Sequence, residues 1–153
     1  MTIMDMPPGA VVARRLRRRR ELDDLDLRRA VLALSEEGYP QTRIAQWLEV
    51  SQPSVSSMLQ TARSGSVPRP GFSGASPMEL CERYAAGVLS REQLIDELTR
   101  WEYVPAIKHD PYEDLAIQPL GTSWDVYYAA MRGLIEMDLY GVIAERLPAD
   151  SGE

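Results

Sequence analysis

Apolar positions recur with a helical period through most of this chain. Leu27, Val31 and Leu34 stand at i, i+4 and i+7, and Gly38 and Pro40 close that run. A short helix is predicted over Thr42–Leu48 and another over Gln52–Arg63. Upstream, Arg17/Glu21, Arg19/Asp23 and Arg20/Asp24 pair opposite charges four residues apart and could extend the first helix, although base before acid is the weaker order. Farther on, Ser76, Pro77 and Glu79 take the N-cap, N1 and N3 places of a helix that stops at Gly87. Ser90 and Gln93 repeat that capping pattern and open a helix through Trp101. The stretch Glu102–Thr122 holds three prolines without a clear period and reads as loop. Ser123 starts a further helix that Gly133 interrupts, and Ile135–Leu147 is the last before Pro148. The fold class this predicts is all-α.

The segment 64–77 is dense in Gly, Pro and Ser, a composition that disfavours helix and strand and predicts a flexible, solvated linker. The sign of the charge changes there. Residues 1–69 carry 11 Lys and Arg against 8 Asp and Glu, a net of +3, whereas residues 70–153 carry 6 against 15, a net of −9. The expected organisation is therefore a domain over 1–63, the linker, and a small acidic helical domain over 78–153. A basic front suits a polyanion and an acidic rear suits a basic protein, while acidic surface also serves plain solubility.

The 153 residues fit one ordinary domain or two very small ones. Apolar runs such as Ala30 to Leu34 fall well short of the roughly 20 residues a bilayer span requires. The basic segment Arg14–Arg20 is followed by Glu21, Asp23, Asp24 and Asp26, so no secretory signal is expected. One cysteine, Cys81, and one histidine, His109, exclude an internal disulfide and leave no Cys/His zinc set. A reduced, cytoplasmic compartment with no metal or cofactor is the expectation.

Residues 41–60, QTRIAQWLEVSQPSVSSMLQ, carry the most specific pattern in the chain. Ala45 supplies a small residue where two helices cross, and Ile44, Leu48, Val50, Val55 and Met58 supply the apolar wedge between them. Ser51 is placed to cap the second helix, with Pro53 in its first turn. Glu49 stands where a turn glycine is usual and must adopt a left-handed backbone or a looser turn. The segment resembles the helix-turn-helix of bacterial repressors and related regulators. That resemblance implies a recognition helix over Gln52–Arg63 that reads duplex DNA, with Gln52 suited to adenine and Pro53, Ser54, Ser56, Ser57 and Gln60 near bases or phosphates. Gln41, Thr42, Arg43 and Arg63 are placed for the phosphate backbone. The bland reading of the same residues is a solvated structural module. The arginines at 14–20 are either a nucleic-acid arm or the solvated start of the first helix.

The rear segment shows no catalytic constellation: its carboxylate pairs Asp96/Glu97, Glu113/Asp114 and Glu136/Asp138 are adjacent or nearly so and do not face each other, and no enzyme is expected. Its aromatic side chains can build a small core, and Trp101, Tyr103, Trp124, Tyr127 and Tyr128 are candidates for a partner surface. The layout is similar to a bacterial helix-turn-helix antitoxin. Such a resemblance implies a protein that binds its own promoter, represses its operon and neutralises a protein toxin with its acidic half; because one helix-turn-helix reads about half a site, a homodimer, or monomers brought together by a partner, is expected. A plain repressor, whose rear helices dimerise or sense a ligand, is the alternative.

Overall fold

The computed structural model describes residues 5–105 and 121–147. Seven helices and no strand make up these residues, so the chain is all-helical there. Most of the expected loop over 102–122 lies outside the described residues, with His109, Tyr112, Glu113 and Asp114, and so does Pro148. Among the described residues no helix is long and apolar enough to cross a membrane. The chain divides into two compact units, one of residues 19–67 and one of residues 1–18 with 68–153.

The smaller unit holds the rear of α1 (Pro8–Glu36), then α2 (Gln41–Leu48) and α3 (Gln52–Arg63). Its core is Val31 and Leu32 from α1, Ile44 and Ala45 from α2, and Val55 and Leu59 from α3. Leu34, Leu48, Met58 and Ala62 pack against that core, partly buried. One of the wedge assignments needs correction. Val50 remains 38% exposed, because it follows the left-handed residue of the turn and lies outside both helix faces. Leu59, one turn beyond Val55 on the same face, fills the place instead and is fully buried.

The turn itself forms as the sequence demands. Glu49 has φ 57° and ψ 40°, the one left-handed residue other than glycine among the described residues. Its N–H and that of Val50 return to the carbonyls of Gln46 and Ala45, which closes α2. Ser51 is extended at φ −73°, and its hydroxyl accepts from the Ser54 N–H at 3.2 Å.

The larger unit contains α4 (Pro77–Ala85), α5 (Arg91–Arg100), α6 (Trp124–Met131) and α7 (Met137–Ala144), with the front of α1. Leu80, Leu94, Leu98, Val126, Leu139 and Ile143 are the fully buried centre of its core. Ser90 and Gln93 complete a reciprocal capping box on α5. On α4 only half of that device forms: Ser76 caps the Glu79 N–H, but the Glu79 carboxylate pairs with Arg83 at 3.1 Å in a buried ion pair. The stretch read as tether is anchored in its rear part. Phe72 meets Trp101 edge-on at 4.9 Å, and the Ser73 N–H and hydroxyl both donate to the buried Glu97 carboxylate.

Candidate nucleic-acid interface and an aromatic surface

The starts of α2 and α3 converge. The Gln52 side-chain amide donates to the Gln41 side-chain carbonyl at 2.7 Å, although eleven residues separate them. A glutamine amide has two N–H donors and one carbonyl oxygen. This bond uses one donor of Gln52 and leaves one N–H and the carbonyl, the two groups that a bidentate contact with adenine needs. Gln41 in turn keeps its own NH2 for a phosphate or a water. The sequence marks both glutamines as candidates but gives no sign that they touch.

Around this pair most of the other candidates are exposed. Thr42, Arg43, Gln52, Pro53, Ser56, Ser57, Gln60 and Arg63 are exposed, and Gln41 and Ser54 are half-buried. Ser54 also lies 2.8 Å, hydroxyl to hydroxyl, from the capping Ser51, so part of its hydrogen-bonding capacity goes to holding the turn. Arg43 and Arg63 enter no ion pair among the described residues. Tyr39 and Trp47 form an exposed edge-to-face pair at 5.1 Å, a contact that sequence reasoning did not single out. The unit that carries all of this is not basic as a whole. From 19 to 67 it has 6 Lys and Arg against 7 Asp and Glu, a net of −1, and the positive excess of the front half sits at residues 14–18 of α1.

The five aromatic candidates of the rear half separate into two groups. Trp101 and Tyr103 pack on the core, and the hydroxyl of the half-buried Tyr103 donates to the Leu98 carbonyl at 2.6 Å. Burial pushes the Tyr103 phenol well above its ordinary value. By contrast, Trp124, Tyr127 and Tyr128 form one cluster on α6, with ring centres 5.6 to 6.2 Å apart. Trp124 and Tyr128 are exposed, and Met131, one further turn along, is 62% exposed. Opposite them, Val126, Ala129 and Ala130 are buried. The helix is thus apolar on both faces, and only one of them is used by the core. Met131 was legible as the third member, at i+7 from Trp124 and i+3 from Tyr128.

Three further titratable groups among the described residues of this unit are shifted by their surroundings. Cys81 is buried in the core, and burial, with Glu82 and Asp125 nearby, pushes its thiol up to about 12. Asp125 accepts from the Gly121 N–H at 2.8 Å, but burial still raises its carboxyl above the usual range. Tyr84 donates to Glu136 at 2.7 Å, and burial together with that bond moves its phenol up to about 12.

No protein-family model, curated protein or solved structure matches the chain.

Proposed function

We propose that this chain is a sequence-specific DNA-binding regulator, not an enzyme, with α1 to α3 as a helix-turn-helix module and residues 64–77 as its connection to the rear half. The reading rests above all on the start of α3, where Gln41 steadies Gln52 and leaves it one donor and one acceptor for adenine. Thr42, Arg43 and Arg63 would contact phosphates, with Ser54, Ser56, Ser57 and Gln60 along the groove. Because the unit is nearly neutral, oriented hydrogen bonds and a few arginines would supply the affinity instead of a broad positive field. One such module reads half a site, so a full site calls for two copies. A mobility-shift titration on DNA upstream of the gene tests this over a range of salt. Binding that weakens as salt rises supports the reading, and no binding, or binding indifferent to salt, refutes it.

A second element is favoured by the outer face of α6. Trp124, Tyr128 and Met131 present an apolar stripe on a half of the chain with net charge −9. Acidic surroundings speed encounter with a basic protein, and buried aromatic anchors supply affinity. The chain would then act in the cytoplasm as an antitoxin that binds a basic toxin and represses its own operon. The test is co-expression of the full chain with its neighbouring gene in a cell that the neighbour poisons. Rescue that is lost in folded Trp124→Ala supports the antitoxin. A harmless neighbour leaves the plain repressor as the account.

A further inference from the structure

The aromatic cluster on α6 continues onto α7. Tyr127 meets Trp124 at 5.6 Å with the rings 88° apart, and it meets Tyr140 of α7 at 5.9 Å and 62°. Tyr128 stands 6.2 Å from Trp124 and 5.9 Å from Tyr127. Three of these four ring pairs are inclined by 59° or more, so the surface they make is stepped, not flat. Trp124 and Tyr128 are exposed, and Tyr127 and Tyr140 are half-buried. Each ring also ends in a group that can donate a hydrogen bond: an indole only donates, and a phenol donates or accepts. The Trp124 indole N–H and the Tyr127, Tyr128 and Tyr140 hydroxyls have no partner among the described residues, whereas the Tyr84 and Tyr103 hydroxyls of the same unit are both bonded. The cluster therefore offers apolar faces together with four unused donors.

Those properties select among the shapes in which a peptide can arrive. A helix brings carbonyls that are already bonded within it. A strand brings N–H and C=O groups in equal number and calls for an open sheet edge, and the described residues contain no strand. A proline-rich segment in the polyproline II conformation brings free carbonyls, few N–H groups and apolar rings, in a shape fixed before binding. Aromatic-lined surfaces take such segments for that reason. Residues 70–153 have a net charge of −9, and Asp138 on α7 is exposed and enters no ion pair among the described residues, so basic residues beside the prolines fit. We infer that Trp124, Tyr127, Tyr128 and Tyr140 bind an extended, proline-rich segment of a basic partner, donating to its carbonyls and seating its proline rings on their faces. The chain's own Pro68 and Pro70 are engaged elsewhere, since Arg69 between them pairs with Glu102 at 3.0 Å and Phe72 packs on Trp101. The inference rests on reading the α6 face as a partner surface and states which kind of segment fills it.

The test is an NMR titration of the full chain with a peptide of consecutive prolines that carries lysines at both ends. The chain has three tryptophans, Trp47, Trp101 and Trp124, so three indole N–H signals report on three places, and Trp124→Phe identifies the one of interest. On titration the Trp124 signal should move, while those of Trp47 and Trp101 should stay. A control peptide with the same lysines, and with glycine and serine in place of proline, keeps the charge but loses the fixed shape, and should bind about tenfold more weakly or worse. Tyr128→Phe keeps the ring and removes one donor, and should weaken the proline peptide about two- to tenfold. Tyr128→Ala removes the ring as well, for a loss of about thirtyfold or more. Position 128 is exposed, so both variants should keep native helical circular dichroism. A Trp124 signal that stays still at millimolar peptide, equal affinity for the two peptides, or a Tyr128→Phe chain that binds as the native one does would overturn the inference. So would a Trp124 signal that moves on dilution of the chain alone, which assigns the face to a second copy. If the peptide fails to bind but Trp124→Ala still abolishes rescue from the neighbouring gene, the partner surface stands and only its proline chemistry falls.

Discussion

Two helices with exposed faces, α3 and α6, use opposite chemistry. On α3 the exposed residues include glutamines, serines and an arginine, held by a capped N-terminus and a hydrogen bond to the preceding helix. On α6 they are a tryptophan, a tyrosine and a methionine, over a half of the chain rich in acid. Small polar groups at fixed positions offer direction and little area, which suits the edges of bases. Large apolar groups offer area and little direction, which suits a protein partner. Net charge alone lends no support to DNA at the first surface, since the unit that bears α3 has a net charge of −1. What favours DNA there is the placement of individual donors and acceptors.

If the two surfaces belong to separately cored units, they can be broken one at a time. Leu59→Ala and Leu94→Ala each remove a fully buried side chain, one from each core, and each should cost about 2–5 kcal/mol. Hydrogen exchange read by mass spectrometry should show faster exchange over 19–67 in the first variant and over 68–147 in the second. Faster exchange through the whole chain in both would mean that the units do not fold apart.

Smaller changes sharpen the account of α3. Ser51→Ala removes the cap bond to the Ser54 N–H and should destabilise the smaller unit by about 0.5–2 kcal/mol, measured by urea titration. Glu49→Gly should act in the other direction. It relieves a left-handed residue but loosens the unfolded chain, for a net gain of about 1 kcal/mol or less. A loss of stability in Glu49→Gly would show that its side chain contributes more than the backbone costs.

The local features of the smaller unit were legible because their determinants lie close together in sequence. The span of α3, its Ser51 cap and the left-handed Glu49 all follow from neighbouring residues. Features set by distant residues were not. Val50 has the right place in the pattern, yet the turn turns it outward. Pro8 begins α1, well ahead of any apolar period, because the arginine run is helical without an apolar stripe to announce it. Glu79 leaves its expected capping role for Arg83, and Ser73 is held by Glu97 from twenty-four residues away. Among the candidate site residues, the composition of each surface was readable. The Gln41–Gln52 bond, and the division of the aromatic residues between core and surface, required three dimensions.

The most direct test of the central claim, that α3 reads bases, compares Gln52→Ala with Arg63→Ala on two DNA sites. One is a site the native chain binds, and the other differs at the base pair that Gln52 contacts. Gln52→Ala should lose about 1–3 kcal/mol on the first site and bind the two nearly alike. Arg63→Ala should weaken both sites equally and lower the salt slope by about one. A Gln52→Ala chain that still discriminates as well as the native one, at every base pair tried, would contradict the claim.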